Sequence, residues 1–215
     1  AALDGDEAAL LAWLDSGGRV NATCVVGDRS GFTALMLAAQ EGHERMVDLL
    51  FQRGAEIDQQ DSAGWTALMF AASKGHERVV KLLLQHGAEV DKQDADGSTA
   101  LMHAAVSGHE RVVELLQRGA DVNLQKSDGW TALISAARQG HERVVELLLR
   151  HGAEANLQNS DGVTALMRAA IGGHERVVDL LLQHRAETNL QNDLGVTALM
   201  YAALFNQLAV VRRLL

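Results

Sequence analysis

The chain has 215 residues, is 47% hydrophobic, carries a formal net charge of −9 with a pI near 5.4, and contains no proline. The apolar share can build a core, while the acidic balance speaks against a binder of nucleic-acid backbones, which would display a basic patch. No apolar run reaches the ~18 residues of a membrane span, no basic-then-apolar signal stands at the start, and the lone Cys24 leaves no disulfide framework, which suits a reducing compartment.

Along the chain, Ala1 to Glu7 align with Ala71 to Glu77, and the match continues without a gap to Asn21. The first residues therefore read as the tail of one helix, followed by a second helix that carries Trp13, expected to be packed. The sequon-like Asn21-Ala22-Thr23 is read as having no consequence. Residues Thr23 to Gly27 make the first connection about four residues longer than later ones. From there Gly-x-Thr-Ala-Leu recurs at Gly31, Gly64, Gly97, Gly129, Gly162 and Gly195, at intervals of 33, 33, 32, 33 and 33. Such a period signals a stacked array. Between Asp61–Gln93 and Asn159–Gln191, 22 of 33 positions are identical.

Each unit reads as two short antiparallel helices. The first carries Thr-Ala-Leu-Met-x-Ala-Ala, with a Thr (Thr66, Thr99, Thr131) suited to capping free N–H groups and small alanines that permit close approach. Gly75 and its equivalents break the chain in the left-handed conformation. Glu-Arg-Val-Val-x-Leu-Leu-Leu forms the second helix, with Val79, Val80, Leu83 and Leu84 at helical spacing. Gly87 ends it. The 32-residue interval arises because Glu114-Leu115-Leu116-Gln117 lacks one of the usual three leucines. Arg185 stands where Gly54, Gly87, Gly119 and Gly152 stand, and a side chain forced to positive φ there costs about 1 kcal/mol. Val210 to Leu215 end inside a further second helix. Seven units follow: residues 1–27 (partial, with the long loop), 28–60, 61–93, 94–125, 126–158, 159–191 and 192–215 (partial).

At these residues the chain resembles the ankyrin-repeat family. The family's Gly-x-Thr-Pro-Leu-His-x-Ala-Ala appears as Gly64 to Ala72, its Gly-His-x-x-Val-Val-x-Leu-Leu-Leu as Gly75 to Leu84, and its Gly-Ala-Asp-Val-Asn as Gly119 to Asn123. Alanine replaces the family's Pro, and Met (Ile134 once) replaces its His; both are compatible with a packed helix. The resemblance implies an all-α solenoid of helix-turn-helix units with exposed hairpin-like turns.

Nine histidines raise the question of a metal or a catalytic base. His43, His76, His109, His141 and His174 share one place in the repeat, which spaces neighbours at about the 8–10 Å of packed helices. Zinc ligands must converge within about 2 Å of one ion, so this row is read as hydrogen bonding between neighbouring repeats. His86, His151 and His184 form a second row near helix ends, where the dipole favours partial positive charge. No phosphate-binding glycine loop or nucleophile elbow occurs. The repeated Glu-Arg pairs, with acids three residues on (Asp48, Glu114, Glu146, Asp179), read as solvated surface pairs.

Variation concentrates in three rows: Phe32, Trp65, Ser98, Trp130, Val163 and Val196 after the Gly; Leu37, Phe70, His103, Ser135, Arg168 and Tyr201 before Ala-Ala; and, after it, pairs that include Lys74, Arg138, Leu204 and Phe205. The last two rows share a helix face. The resemblance implies that this face and the preceding turn contact a partner protein. Six of the eight aromatics lie in these rows, and Trp, Tyr and Arg dominate interface hot spots. Phe32, Trp65, Phe70, Lys74, His103, Trp130, Arg138, Arg168 and Tyr201 are the candidate contact residues. Lys74, Arg138 and Arg168 make the helix face positive, and Asp96, Asp128, Asp161 and Asp193 make the turn tips negative. The resemblance also implies Asn123 as a hydroxylation candidate, against the plainer role of capping its own turn.

The reading is a non-enzymatic protein–protein interaction module with no cofactor or metal, a protein or peptide partner, no nucleic-acid or membrane partner, and a monomeric state in the cytoplasm or the nucleus. Its rivals are a structural spacer or self-associating scaffold, the targeting arm of a larger enzyme, and an engineered array; the deletion, the long first loop and Arg185 oppose the last.

Overall fold

A computed structural model describes residues 2 and 5–215. It opens with α1 (Glu7–Asp15) and a hairpin of β1 (Thr23–Val26) and β2 (Arg29–Thr33), and continues as helix pairs. These are α2 (Ala34–Glu41) with α3 (Glu44–Gln52), α4 (Ala67–Lys74) with α5 (Glu77–Gln85), and α6 (Ala100–Ser107) with α7 (Glu110–Leu116). After them come α8 (Ala132–Gln139) with α9 (Glu142–Arg150), α10 (Ala165–Gly172) with α11 (Glu175–Gln183), and α12 (Ala198–Leu204) with α13 (Leu208–Leu214). The chain divides into two compact units, residues 1–100 and 101–215. In the first, α2 packs on α4 and α3 on α5; in the second, α10 lies between α8 and α12, and α9 and α11 continue the outer row to α13.

The repeated residues explain this regularity. Thr33, Thr66, Thr131, Thr164 and Thr197 are extended N-cap residues whose hydroxyls accept the N–H three residues on, at 3.1–3.3 Å. Each satisfies a donor the helix cannot. The paired alanines (Ala38 and Ala39, Ala71 and Ala72, Ala136 and Ala137, Ala169 and Ala170) are fully buried, so one first helix sits against the next with no bulk between them. The first helices from α2 to α10 end on a left-handed Gly, such as Gly42 at φ 77°, and α12 has Asn206 at φ 56° in that place. A Cβ on Gly42 would also lie 2.6 Å from Nδ1 of His76, so both backbone and packing require glycine. The second helices α3, α5, α7, α9 and α11 bury Val79, Val80 and Leu83 and their counterparts, while Leu84 is half-buried.

The histidine row does what its spacing implied. Nε2 of His76 donates to the Gln40 carbonyl (2.9 Å), His141 to Val106 (3.0 Å) and His174 to Arg138 (3.1 Å). Gln207 takes the histidine's place in the last pair and donates to Ile171 (3.3 Å). In the second row, Nδ1 of His86, His151 and His184 each donates to the carbonyl four residues back, at 2.9 Å. The turns are stitched by a third row that the sequence reading passed over. Gln60 reaches the carbonyls of Gly64 and Gln93, Gln125 those of Gly129 and Gln158, and Gln158 those of Gly162 and Gln191.

Four expectations need correction. The long first connection is a two-stranded antiparallel hairpin, with Cys24 opposite Phe32 and an irregularity between Cys24 and Val25; Thr-Cys-Val-Val followed by Gly27 at φ 58° has the β-branched run and the turn that a hairpin needs. Trp13 is 43% exposed rather than packed. The turn at Gly119 does not close like its counterparts. Ala88 and Ala153 donate to the carbonyl five residues back, but Ala120 donates four back, to Leu116, because α7 is two residues shorter than α5 or α9 and its cap Gln117 is still helical (φ −63°). Asn123 does not cap its own turn: Asp121 does, while Asn123 accepts from the Glu154 N–H (2.9 Å) and donates to the Gly152 carbonyl (3.1 Å), bridging two repeats. Arg185 does adopt positive φ, at 63°. The reading of Ala1, Leu3 and Asp4 as a helix tail lies outside the described residues.

Candidate partner-binding surface

The residue after each Gly and the exposed face of each first helix converge, because the turn leads directly into the capped helix. In the first unit this brings Phe32, Trp65 and Phe70 together, with ring centres 5.4 Å (Phe32–Phe70) and 5.0 Å (Trp65–Phe70) apart. Over them lies Arg29 from β2, its guanidinium carbon 5.4, 5.1 and 5.3 Å from the three ring centres, within cation–π range. Its Nη2 pairs with Oδ2 of Asp61, whose side chain is wholly buried. The contact is close but not aligned as a hydrogen bond, so charge and the ring faces hold it. The other carboxylate oxygen accepts the N–H groups of Ala63 (3.0 Å) and Trp65 (2.9 Å). The charge of Arg29 is thus neutralised within the cluster.

In the second unit Trp130 occupies the place of Trp65, and two arginines flank it. The guanidinium carbon of Arg168 is 4.7 Å from its ring centre and that of Arg138 5.5 Å. The position equivalent to Asp61 is Lys126, which pairs instead with Asp128 (2.6 Å). Burial alone would push the Asp128 carboxyl up; the hydrogen bonds from Lys126 and the Trp130 N–H outweigh it and hold the carboxyl below its ordinary value. Burial, and then the charge of Arg138, press the Arg168 guanidinium below the usual arginine value. Nε of Arg168 is buried without a hydrogen-bond partner. Val106, Lys126, Asp128, Trp130, Ser135, Arg138 and Gln139 enclose a depression of about 250 Å³. A larger one, of about 440 Å³, lies at the starts of α7, α9 and α11, where Arg143 and Glu146 already pair at 2.7 Å.

A family model for ankyrin repeats, three copies long, matches residues 1–61, 35–126, 89–159, 112–192 and 145–215, and so spans the sequence. The chain belongs to the ankyrin-repeat family. No curated protein matches it. Its architecture is the all-α repeat solenoid of that family, and ankyrin repeats are in general modules of protein–protein interaction. Among the described residues no helix is long and apolar enough to cross a membrane.

The predicted contact residues of this ankyrin chain fall into distinct settings. Lys74 and Arg138 are exposed, and Trp65, His103, Trp130, Arg168 and Tyr201 are half-buried. Phe32 and Phe70 are only 3% and 5% exposed, so they back Arg29 rather than offer surface. Tyr201 takes a hydrogen bond from Asn192 (2.8 Å) and lies beside Phe205, while Leu204 projects outward. Arg29 and Asp61 were missed by sequence reasoning. The signal was the extra hairpin, which supplies one arginine at a repeat position otherwise held by Ser, Ala or Asp.

Proposed function

We propose that this ankyrin chain is a non-enzymatic interaction module that holds a partner protein or peptide against the first helices and preceding turns, through Trp65 and Lys74 in the first unit and His103, Trp130, Arg138, Arg168 and Tyr201 in the second. One observation carries the reading. Within a repeat whose conserved-looking side chains are buried or spent on bonds between repeats, the varied positions hold half-exposed aromatic and arginine side chains, the types that anchor interfaces. The repeat residues that stay constant (Thr caps, paired alanines, turn glutamines) all act on the fold.

The test is a paired affinity capture from source-cell lysate, read by mass spectrometry, with the native chain as one bait and a Trp65→Ala, Trp130→Ala, Arg138→Glu chain as the other. Both baits must first give the same helical circular dichroism. Partners retained by the native bait and lost by the variant are expected. Identical partners on both baits would move the contact surface to the second helices or the ends.

A further inference from the structure

The two arginines beside Trp130 form an unneutralised positive site in an otherwise acidic chain. No carboxylate lies within ion-pair distance of Arg138 or Arg168 among the described residues, whereas Arg29, Arg53, Arg143 and Arg213 each pair with an acid. The remaining cation at the site, Lys126, is taken by Asp128. The charge of Asp161 weighs less on Arg168 than burial, Arg138 or Tyr201. The group an anion would relieve is Arg168, half-buried on the indole face with its Nε lacking a hydrogen-bond partner and the like charge of Arg138 beside it. The first unit shows what relieves such a cation: Arg29 sits on its aromatic rings with the Asp61 carboxylate against it.

We infer that the second unit's Trp130, Arg138 and Arg168 site receives a carboxylate from an acidic segment of the partner, an Asp or Glu beside an aliphatic or aromatic residue. The carboxylate supplies to Arg138 and Arg168 what Asp61 supplies to Arg29. Guanidinium forks match carboxylates, and such charge-assisted bonds are about twice as strong as neutral ones. The neighbouring apolar side chain meets the Trp130 face and Val106, which is 42% exposed. At about 250 Å³ the depression falls below the usual 300–1,000 Å³ of small-molecule pockets, which favours a peptide side chain as occupant. With a net charge of −9 on the whole chain, the attraction is local: beyond a Debye length of about 8 Å it is screened.

This inference rests on the interaction reading above, and one experiment separates their failures. Phage-displayed random dodecapeptides are selected on the native chain and on a blank surface. The expected result is a several-fold enrichment of Asp or Glu next to Leu, Ile, Phe or Trp. The leading peptide, synthesised with a fluorophore, should lose at least tenfold in affinity when its acids are replaced by Gln or Asn, and again on the Arg138→Gln chain. The peptide-side replacement needs no protein variant, so a folding defect in Arg138→Gln cannot obscure the outcome. Enriched peptides without acids, or acidic peptides indifferent to both changes, would overturn the carboxylate site and leave the interaction reading standing. No enrichment over the blank would overturn both.

Discussion

Trp65 and Trp130 occupy the same place in their repeats, yet their surroundings differ in one respect that matters for binding. Around Trp65 the cation comes from the hairpin (Arg29), the anion from the turn (Asp61), and two further rings close the cluster. Around Trp130 the turn position holds Lys126, the helix faces bring two arginines, and no buried acid answers them. In the first cluster Phe32 and Phe70 are core and the charge of Arg29 is balanced within the chain, which leaves the half-buried Trp65 to meet a partner; the second cluster is chemically incomplete. A repeat fold thus keeps one backbone and decides between packing and recognition by whether a charge is balanced inside the chain.

The costliest substitution lies in the first cluster. Asp61→Ala strips Arg29 of its counter-ion and leaves the Ala63 and Trp65 N–H groups without an acceptor, which should cost about 3 kcal/mol. Hydrogen exchange should show the loss in the amides of α2 and α4 while those of α8 to α12 keep their protection. A cost below about 1 kcal/mol would mean the cluster is held by its rings alone.

A matched pair of arginine substitutions sharpens the contrast. Arg29→Gln should destabilise by about 1.5 kcal/mol, from the lost cation–π contacts and the orphaned Asp61. Arg138→Gln, on an exposed side chain beside a like charge and a ring, should stay within about 0.5 kcal/mol. Equal losses in urea melts of the two variants would show that both cations are structural.

The third prediction concerns helix ends. Gly54 and Gly87 end second helices in the first unit at φ 80° and 86°, but in the second unit Arg185 holds φ 63° with a side chain. Arg185→Gly should stabilise by about 1 kcal/mol, or about 3 °C in melting temperature for a chain of this length. The bond from the Asn156 side-chain amide to the residue-185 carbonyl survives the change, since it uses only the backbone of residue 185.

The smallest effect lies on the ladder of side chains that bridge turns. Asn123 and Asn156 each accept one N–H and donate to a carbonyl of the next repeat, whereas Asp58 accepts from Glu89 (3.1 Å) and has nothing to donate. Burial, offset by the Glu89 N–H and reinforced by the Glu89 charge, raises the Asp58 carboxyl above its ordinary value. A carboxyl raised in the folded state weakens folding once it ionises, so the penalty is present at neutral pH and disappears as pH falls below the raised value. Asp58→Asn should therefore stabilise by about 0.5 kcal/mol at pH 7, allowing for solvent screening, and its advantage should shrink in melts at pH 4. An advantage independent of pH would assign the gain to the new bond to the Gly87 carbonyl alone.

Most of what repeats was legible in the chain: the 33-residue period, the Thr caps, the left-handed glycines after the first helices, the buried alanine pairs and the histidine row, though not the glutamines that stitch the turns. These depend on bonds that span three or four residues, or one period, and so leave their spacing in the chain. The candidate contact rows were legible for the same reason, as departures from a fixed pattern. Tertiary structure alone decided what those departures do. Phe32 and Phe70 varied like contact residues but became core, because a hairpin folded Arg29 over them. Asn123 looked like the cap of its own turn, but its amide reaches the next one, since neighbouring repeats stack closely enough to outcompete a local bond. Arg168 was one positive residue in a row; only when Trp130 and Arg138 close around it does its charge lack an answer. Whether a charge is balanced depends on distances of a few ångströms between residues some thirty positions apart, and spacing along the chain does not encode them.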